Sequence, residues 1–233
     1  ADTLVMKLTA GVQSRMLPFN ADKGASEGAW LTENAVMIRT RGHETLRIDY
    51  GQTAMIGRHN HENISAAALA ALAAGASPEG VLSGVRHFRP DPHRLEYVGR
   101  VKGVSFYDDS KATNVDAVVR AIEAVPGPVV LILGGRDKGG GYEPLKVPVR
   151  RRVKKLILIG EASERIESAL GELVETHRAG TMADAVAGAF ESSIAGDCVL
   201  LSPACASFDM YESYARRGEA FQRAVHEILR RNA

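Results

Sequence analysis

The stretch 129–141, VVLILGGRDKGGG, decides the predicted fold of the second half of the chain, because an apolar strand in it leads directly into a glycine-rich loop. Similar apolar runs follow at 154–160, KKLILIG, and at 198–202, CVLLS. Strands that are apolar throughout and separated by helical segments are typical of a parallel sheet with both faces covered. These runs therefore predict a doubly wound, Rossmann-like α/β domain.

The elements around these strands follow from helical periodicity and turn residues. A hairpin closed at Lys102 and Gly103 is expected to add one antiparallel edge strand. Helices are predicted at 114–125, 162–173 and 182–194, with a short run at 174–177 and a last helix at the C-terminus. The second half is thus predicted to be a mostly parallel sheet with one antiparallel edge strand.

The first half has a different pattern, and two prolines separate it from the second. Short alternating runs before residue 58 indicate small antiparallel strands, and 60–75 indicates an alanine-rich helix. Ser77 and Pro78 are typical N-cap and first-turn residues of another helix. The segment 89–94, RPDPHR, marks a domain boundary. We therefore divide the chain into 1–91 and 92–233.

Charge and cysteine content limit the classes of partner. Lys and Arg number 29 against 28 Asp and Glu, a formal net charge of +1, so no global field favours nucleic acid or an anionic membrane surface. Cys198 and Cys205 complete neither a disulfide framework nor a zinc site, which suits a reducing cytoplasm. The most apolar stretches are too short to span a bilayer. We expect a cytoplasmic protein with small-molecule ligands and neither a nucleic-acid nor a membrane partner.

Three polar clusters follow strands of the predicted sheet, at the edge where helix N-termini and loop amides form ligand sites. They are 108–114, DDSKATN; 134–141, GGRDKGGG; and 202–209, SPACASFD. In the first, a helix cap would explain Thr113 or Asn114 but would leave Asp109, Ser110 and Lys111 unexplained, which favours a functional site. The second indicates either a flexible turn or an anion site. In the third, Ser207 is either a helix N-cap or a carboxylate ligand.

Common catalytic and nucleotide motifs do not occur in the sequence. It contains neither Gly-x-Gly-x-x-Gly, nor Gly-Lys-Ser/Thr, nor Gly-x-Ser-x-Gly. The segment 59–63, HNHEN, lacks the i, i+4 spacing of paired helical metal ligands, so its Asn60 and Asn63 suit helix capping or nucleotide binding. Arg94 lies either on linker surface or where a guanidinium could bind phosphate.

Together these clusters resemble the Mur ligases, ATP-dependent amide-forming enzymes of peptidoglycan synthesis. The matching segments, in the family's order, are HNHEN, HR at 93–94, DDSKATN, LILGGRDKGGGYEPL and LSPACASFDMYESYARRGEAF. DSKATN and SPACASFD are similar to the branch of the family that adds D-glutamate. The resemblance extends from about Asn60 to the end of the chain.

The resemblance also implies a set of site residues. They are Asn60, Asn63, Arg94 and Asp109 for the nucleotide, Lys111 and Asp109 for the reacting centre, and Thr113, Lys138, Ser207 and Tyr214 for D-glutamate. Tyr214 stands where the family commonly has phenylalanine. A dianionic amino acid needs two separated cationic or amide-rich pockets, which the second and third clusters can supply. No residue of this set is assigned to a metal.

The resemblance further implies ATP and Mg²⁺ as cofactors, with D-glutamate joined to UDP-MurNAc-L-alanine through an acyl phosphate. The family's phosphate loop and most of its magnesium ligands would precede residue 1. Residues 1–91 are then expected to be the end of a central ATP-binding domain, and 92–233 a complete C-terminal domain. We expect a monomer that is inactive as this fragment. The alternatives are a stand-alone nucleotide or amino-acid binding module without catalysis, and a sister ligase that adds another residue.

Overall fold

The structure, a computed structural model, describes residues 3–9, 11–23, 25–42 and 44–232. The chain divides into two compact units, Ala1–Pro90 and Asp91–Ala233. Among the helices of the described residues, none combines the length and the apolar character that crossing a membrane requires.

The first unit consists of a small antiparallel sheet and the helices around it. Its elements are α1 (Thr3–Leu8), β1 (Gly28–Leu31), β2 (Ala35–Arg39), β3 (Leu46–Asp49), a 3-10 turn (Tyr50–Gln52), α2 (Arg58–Ala73) and α3 (Pro78–His87). β2 pairs antiparallel with β1 and with β3, as the alternating runs predicted. Ser77 caps α3 by accepting a hydrogen bond from Gly80 N, and Pro78 is its first residue, so the predicted helix start is confirmed. Apolar residues of the strands, α2 and α3 form one core. The sequence did not indicate α1.

The second unit is the predicted α/β domain. Its elements are β4 (Glu96–Val101), β5 (Val104–Asp108), α4 (Val115–Ala124), β6 (Val129–Gly134), a 3-10 turn (Glu143–Leu145), α5 (Lys146–Arg152), β7 (Val153–Ile159), α6 (Ser163–Leu170), β8 (Glu175–Arg178), α7 (Met182–Glu191), β9 (Cys198–Leu201) and α8 (Tyr214–Arg231). In the described residues these strands form one sheet in the order β4-β5-β9-β6-β7-β8. The β4–β5 pair is antiparallel and the other pairs are parallel, which confirms the predicted fold class.

The central parallel strands β6 and β9 are buried at every residue because helices cover both faces of the sheet there. Alternate residues of β6, such as Val130 and Ile132, belong to a core with α7 and α8 that contains Phe221. The intervening residues, such as Leu131 and Leu133, are buried on the other face. Right-handed crossovers place α4, α5 and α6 on that face, since each connects strands that advance in the same direction across the sheet.

The hairpin between β4 and β5 is also confirmed. Lys102 and Gly103 both adopt positive φ, at 46° and 83°, as a tight two-residue hairpin turn requires. The prediction was wrong at α5, because no helix was expected between β6 and β7; this short helix carries Pro148 and three arginines. α7 ends at Glu191, earlier than predicted, where the hydroxyls of Ser192 and Ser193 donate to backbone oxygens four residues back.

Candidate substrate-binding site at the carboxyl edge of the sheet

Asp109 immediately follows β5 and is almost buried, with 9% of its surface exposed. Its Oδ2 accepts a hydrogen bond from Ser202 Oγ at 2.9 Å, and its Oδ1 accepts one from Leu95 N at 3.1 Å. Burial raises the pKa of Asp109 to about 7, although both hydrogen bonds favour the ionised carboxylate. A carboxyl group held with this pKa at the end of a parallel strand is typical of a functional site.

Lys111 and Arg94 both contact Asp91, a residue that the sequence analysis did not select. Lys111 Nζ donates to Asp91 Oδ2 at 3.1 Å, and Arg94 Nε lies 3.4 Å from the same oxygen. The hydrogen bond from Lys111 is the main reason that the pKa of Asp91 is lowered. Lys111 Nζ also lies 5.4 Å from the ring centroid of Tyr214, a cation–π contact. Two residues predicted to bind ligands therefore contact one exposed carboxylate, and a third, Tyr214, contacts Lys111.

Lys138 joins the second polar cluster to the first. Its Nζ donates to Thr113 Oγ1 at 3.2 Å, across 25 positions of sequence. The glycines at the start of this loop are required by packing, because a Cβ atom on Gly134 would overlap the backbone oxygen of Ile159. Asn114 is the N-cap of α4, where its side chain accepts a hydrogen bond from Ala117 N. Thr113 is therefore not the cap, and its hydroxyl accepts the hydrogen bond from Lys138. The two predicted D-glutamate ligands of these loops are thus in direct contact.

Ser207 is 2% exposed, and within the described residues its hydroxyl has no hydrogen-bond partner. The possibility that it caps α8 is wrong: the helix begins at Tyr214, and Ser213 is the cap that accepts from Arg216 N. The backbone oxygen of Ser207 instead accepts hydrogen bonds from Met210 N and Tyr211 N, which form a tight turn before the helix. The hydroxyl of Ser207 is therefore available to a ligand.

Backbone hydrogen bonds connect the three polar clusters side by side. Ala204 N donates to Ala112 O at 2.9 Å, which ties the loop after β9 to the loop after β5. Arg136 and Ala206 exchange two backbone hydrogen bonds, which tie the loop after β6 to the loop after β9. The loops that carry Lys111, Lys138 and Ser207 thus lie next to one another at the carboxyl edge of the sheet, where the topology predicted a ligand site.

The first unit holds the two asparagines of the predicted nucleotide site. Asn60 Nδ2 donates to Ile56 O at 2.8 Å at the start of α2, so this amide is engaged within its own unit. Asn63 lines a mostly apolar cavity of about 530 Å³ between α2 and α3. Beside them, the His61 ring stacks on Tyr50 with 3.6 Å between centroids, and burial lowers the pKa of His61. Their assignment to the nucleotide stays a prediction.

A buried polar network under the first loop was missed by the sequence analysis. His93 Nδ1 donates to Asp108 Oδ2 at 2.7 Å, and Gln222 Nε2 on α8 donates to Asp108 and to Glu96. His93, Glu96 and Asp108 form the one group among the described residues whose ligand atoms are close enough to hold a metal ion. Their oxygen and nitrogen atoms are already hydrogen-bonded to one another, which favours a structural role. The sequence gives little signal for this network, because Asp108 and Gln222 are 114 positions apart in the chain.

Comparisons with known proteins identify relatives of this chain. Residues 93–205 match the family model described as "Mur ligase, glutamate ligase domain". The chain is 49% identical over 228 residues to the UDP-N-acetylmuramoylalanine–D-glutamate ligase of Desulfosudis oleivorans, covering 98% of this chain and 50% of that protein. It is 47% identical over 227 residues to the enzyme of the same name from Geotalea daltonii, with 97% and 50% covered. The chain therefore spans about half the length of these relatives.

Solved structures of lower sequence identity share the fold. A pseudomurein peptide ligase type C from Methanothermus fervidus superposes with a TM-score of 0.62 at 16% identity, over 87% of this chain and 42% of that one. MurF from Acinetobacter baumannii also gives a TM-score of 0.62, at 17% identity, over 88% of this chain and 46% of that one. At this identity the likeness supports the architecture alone.

Proposed function

Because this chain belongs to the Mur ligase family, we propose that it is part of a ligase that adds D-glutamate to UDP-N-acetylmuramoyl-L-alanine in peptidoglycan synthesis. The second unit, Asp91–Ala233, binds D-glutamate in this proposal. The observation that carries it is the contact between Lys138 and Thr113, which brings a cation and a hydroxyl from two different loops to one point. Ser207, on the adjacent third loop, offers its free hydroxyl at the same edge.

The chemistry of D-glutamate fits this set of groups. The amino acid carries two carboxylates at neutral pH, and each needs donors that replace its water ligands. Lys138 with Thr113 can bind one carboxylate, and Ser207 with the start of α8 at Tyr214 can bind the other. Lys111 supplies a further cation at the edge of the site, where it can stabilise charge that develops during transfer.

The proposed reaction forms an amide at the expense of ATP. A carboxylate oxygen of UDP-MurNAc-L-alanine attacks the γ-phosphorus of ATP, giving an acyl phosphate and ADP. The amine nitrogen of D-glutamate then attacks the acyl carbon, and the carbon–oxygen bond to phosphate breaks. The amine loses a proton, and inorganic phosphate leaves. In this scheme the described residues contribute binding and orientation of the attacking amine.

The nucleotide is assigned to Asp109, Arg94, Asn60 and Asn63. Asp109 would accept a hydrogen bond from a nucleotide hydroxyl, and Arg94 would bind phosphate after leaving its exposed partner Asp91. The candidate metal cluster around Asp108 is internally hydrogen-bonded, and no step is assigned to a metal bound there. Since the sequence contains no Gly-Lys-Ser/Thr loop, we expect this chain alone to lack ligase activity.

Lys138→Ala in the full-length ligase tests the proposal. Loss of one charge-assisted hydrogen bond of about 1.5–3 kcal/mol should raise the KM for D-glutamate about 10- to 150-fold, with little change in the KM for ATP. Lys155→Ala is the matched control, because Lys155 lies at the amino end of β7, paired with Glu175. Equal losses for D-glutamate and ATP would contradict the assignment of Lys138, and a wild-type enzyme that does not use D-glutamate would contradict the function.

A further inference from the structure

Arg217 is a buried cation that the proposed reaction leaves without a role. It lies in the first turn of α8, and only 1% of its surface is exposed. Its Nε donates to Ser110 Oγ at 3.0 Å, and its Nη2 donates to Ser110 O at 2.9 Å. Its Nη1 donates to the backbone oxygens of Cys205 at 3.1 Å and Ala206 at 3.2 Å, with Gly134 O at 3.5 Å. A single guanidinium therefore reaches all three loops of the site.

The environment of Arg217 contains no carboxylate within ion-pair distance among the described residues; its acceptors are one hydroxyl and backbone oxygens. Burial lowers the pKa of Arg217 to about 10, which still leaves the side chain protonated at neutral pH. Burying a charge without an ion-pair partner is unfavourable unless its donors are satisfied. Arg217 meets this condition only through acceptors on the three loops, so its burial depends on those loops being held together.

The acceptors of Arg217 lie next to the predicted ligands in sequence. Ser110 directly precedes Lys111, Ala206 directly precedes Ser207, and Gly134 begins the loop that carries Lys138. A hydrogen bond that fixes a backbone oxygen also fixes the orientation of the peptide group leading to the next residue. By bonding to the oxygens of Ser110 and Ala206, Arg217 therefore also fixes the directions in which the side chains of Lys111 and Ser207 leave the backbone.

We propose that Arg217 is a positioning residue that holds the loops after β5, β6 and β9 at the spacing needed to bind D-glutamate. The inference rests on the proposed function for the identity of the ligand, but the ordering of the loops can be measured without any ligand. Arg217 does not contact the substrate in this proposal; it acts through Ser110, Ala206 and Gly134.

Gly218, the next residue, explains how α8 comes close enough for Arg217 to reach the loops. A Cβ atom at Gly218 would overlap His93 Nδ1 and lie 2.8 Å from Asp108 Oδ2. The helix therefore rests directly on the His93–Asp108 pair at the end of β5. Ser110 Oγ in turn donates to Tyr214 O at 2.7 Å, so the first turn of α8 and the first loop are connected in both directions.

Hydrogen exchange on this chain, without ligand, tests the ordering of the loops. Arg217→Lys keeps the charge but replaces a planar fork with a point donor, which cannot reach Ser110, Cys205 and Ala206 together. Amides of Gly134, Arg136 and Ala204, which bond between loops, should exchange about 10-fold faster or more, while the amides of β7 keep their protection. Unchanged exchange at the loops, or an equal increase throughout the sheet, would overturn the proposal.

Arg152→Lys is the matched control. Arg152 also donates to backbone oxygens of a loop, those of Val125 and Gly127 at 2.7 and 2.6 Å, but this loop precedes β6 at the opposite edge of the sheet. Its replacement should leave exchange at the three loops unchanged; an increase there as large as that in Arg217→Lys would overturn the proposal.

Ser110→Ala tests the same proposal if the Arg217→Lys variant does not fold. This smaller change removes the acceptor of Arg217 Nε and the donor to Tyr214 O. Faster exchange should be confined to 109–114 and the first turn of α8. Exchange that matches the wild-type chain in both segments would overturn the proposal.

Kinetics of the full-length ligase separates this inference from the proposed function. Arg217→Lys should raise the KM for D-glutamate at least about 10-fold under conditions where the variant is fully folded. A loss of stability alone would lower the active fraction of the enzyme and leave KM unchanged. An unchanged KM overturns the positioning role for D-glutamate while the proposed function stands. A wild-type enzyme that does not use D-glutamate overturns the proposed function. Faster hydrogen exchange at the loops of the Arg217→Lys variant would still establish that Arg217 orders them.

Discussion

Asp109→Asn should stabilise the second unit, by an amount that increases with pH. The folded-state pKa of Asp109 is about 7 against a reference of 3.8, so ionising this carboxyl opposes folding. Between these two values the folded state binds more protons than the unfolded state, and the stability of the wild-type chain falls as pH rises. Asparagine carries no charge at any of these pH values and avoids the loss.

The geometry of the site allows this substitution without a broken hydrogen bond. The side-chain oxygen of asparagine can still accept from Leu95 N, as Asp109 Oδ1 does. Its side-chain nitrogen can donate to Ser202 Oγ, whereas in the wild-type chain Ser202 Oγ donates to Asp109 Oδ2. A shift of about three pKa units corresponds to about 4 kcal/mol at high pH, and the stability gap between variant and wild type should widen by about 3 kcal/mol between about pH 5 and pH 8.

Urea titrations at these two pH values measure the effect. The single tryptophan, Trp30, belongs to the first unit, so its fluorescence does not report on the second. Methyl resonances of Ile132 and Ile157, which are fully buried in β6 and β7, should be followed instead. Asp116→Asn removes an exposed carboxylate from the same unit and controls for the loss of one negative charge. A pH-independent difference for Asp109→Asn, or a less stable variant at about pH 8, would refute the reasoning.

Two further predictions concern the loops at the same edge. Gly134→Ala should destabilise the second unit by about 3 kcal/mol or more in the same titration, because the φ of Gly134 is +124° and the new methyl group would overlap Ile159 O. Gly139→Ala is the control: Gly139 has a φ of +82° but lies in open space, so this change should cost only about 1 kcal/mol. Equal costs would contradict the packing argument. Asn114→Ala should cost about 1 kcal/mol by removing the cap of α4, and Asn114→Asp, which keeps the acceptor oxygen, should recover most of it; no recovery would exclude a capping role.

The sheet and its carboxyl-edge loops could be predicted because their signals are local. Continuous apolar runs at 129–134 and 198–201 are sufficient to indicate strands buried on both faces, and the polar clusters after them mark the ligand edge. The helix α5 could not be predicted in the same way: it has seven residues, contains Pro148 and has three consecutive arginines, so it shows little helical periodicity.

The contacts that order the site could not be predicted, because they join distant residues through backbone atoms. Arg217 bonds to Ser110 across 107 positions, and a backbone oxygen leaves no trace in residue type. Asp91 lies in the segment 89–94, whose two prolines predict only a domain boundary, yet it binds Lys111 across 20 positions. In both cases the sequence indicates the residues proposed to bind a ligand more readily than the residues that contact them from elsewhere in the chain.

The position of β9 has a consequence for how the chain folds during synthesis. Among the strands of the described residues β9 comes last in the chain, yet it lies between β5 and β6 and pairs with both. Until residue 201 has emerged, the edges of β5 and β6 stay unpaired, and a nascent chain exposes two hydrogen-bonding edges that could capture other strands. Synthesis must then continue through Arg217 before the three loops can be ordered, so a chain that stops before β9 should be prone to aggregation.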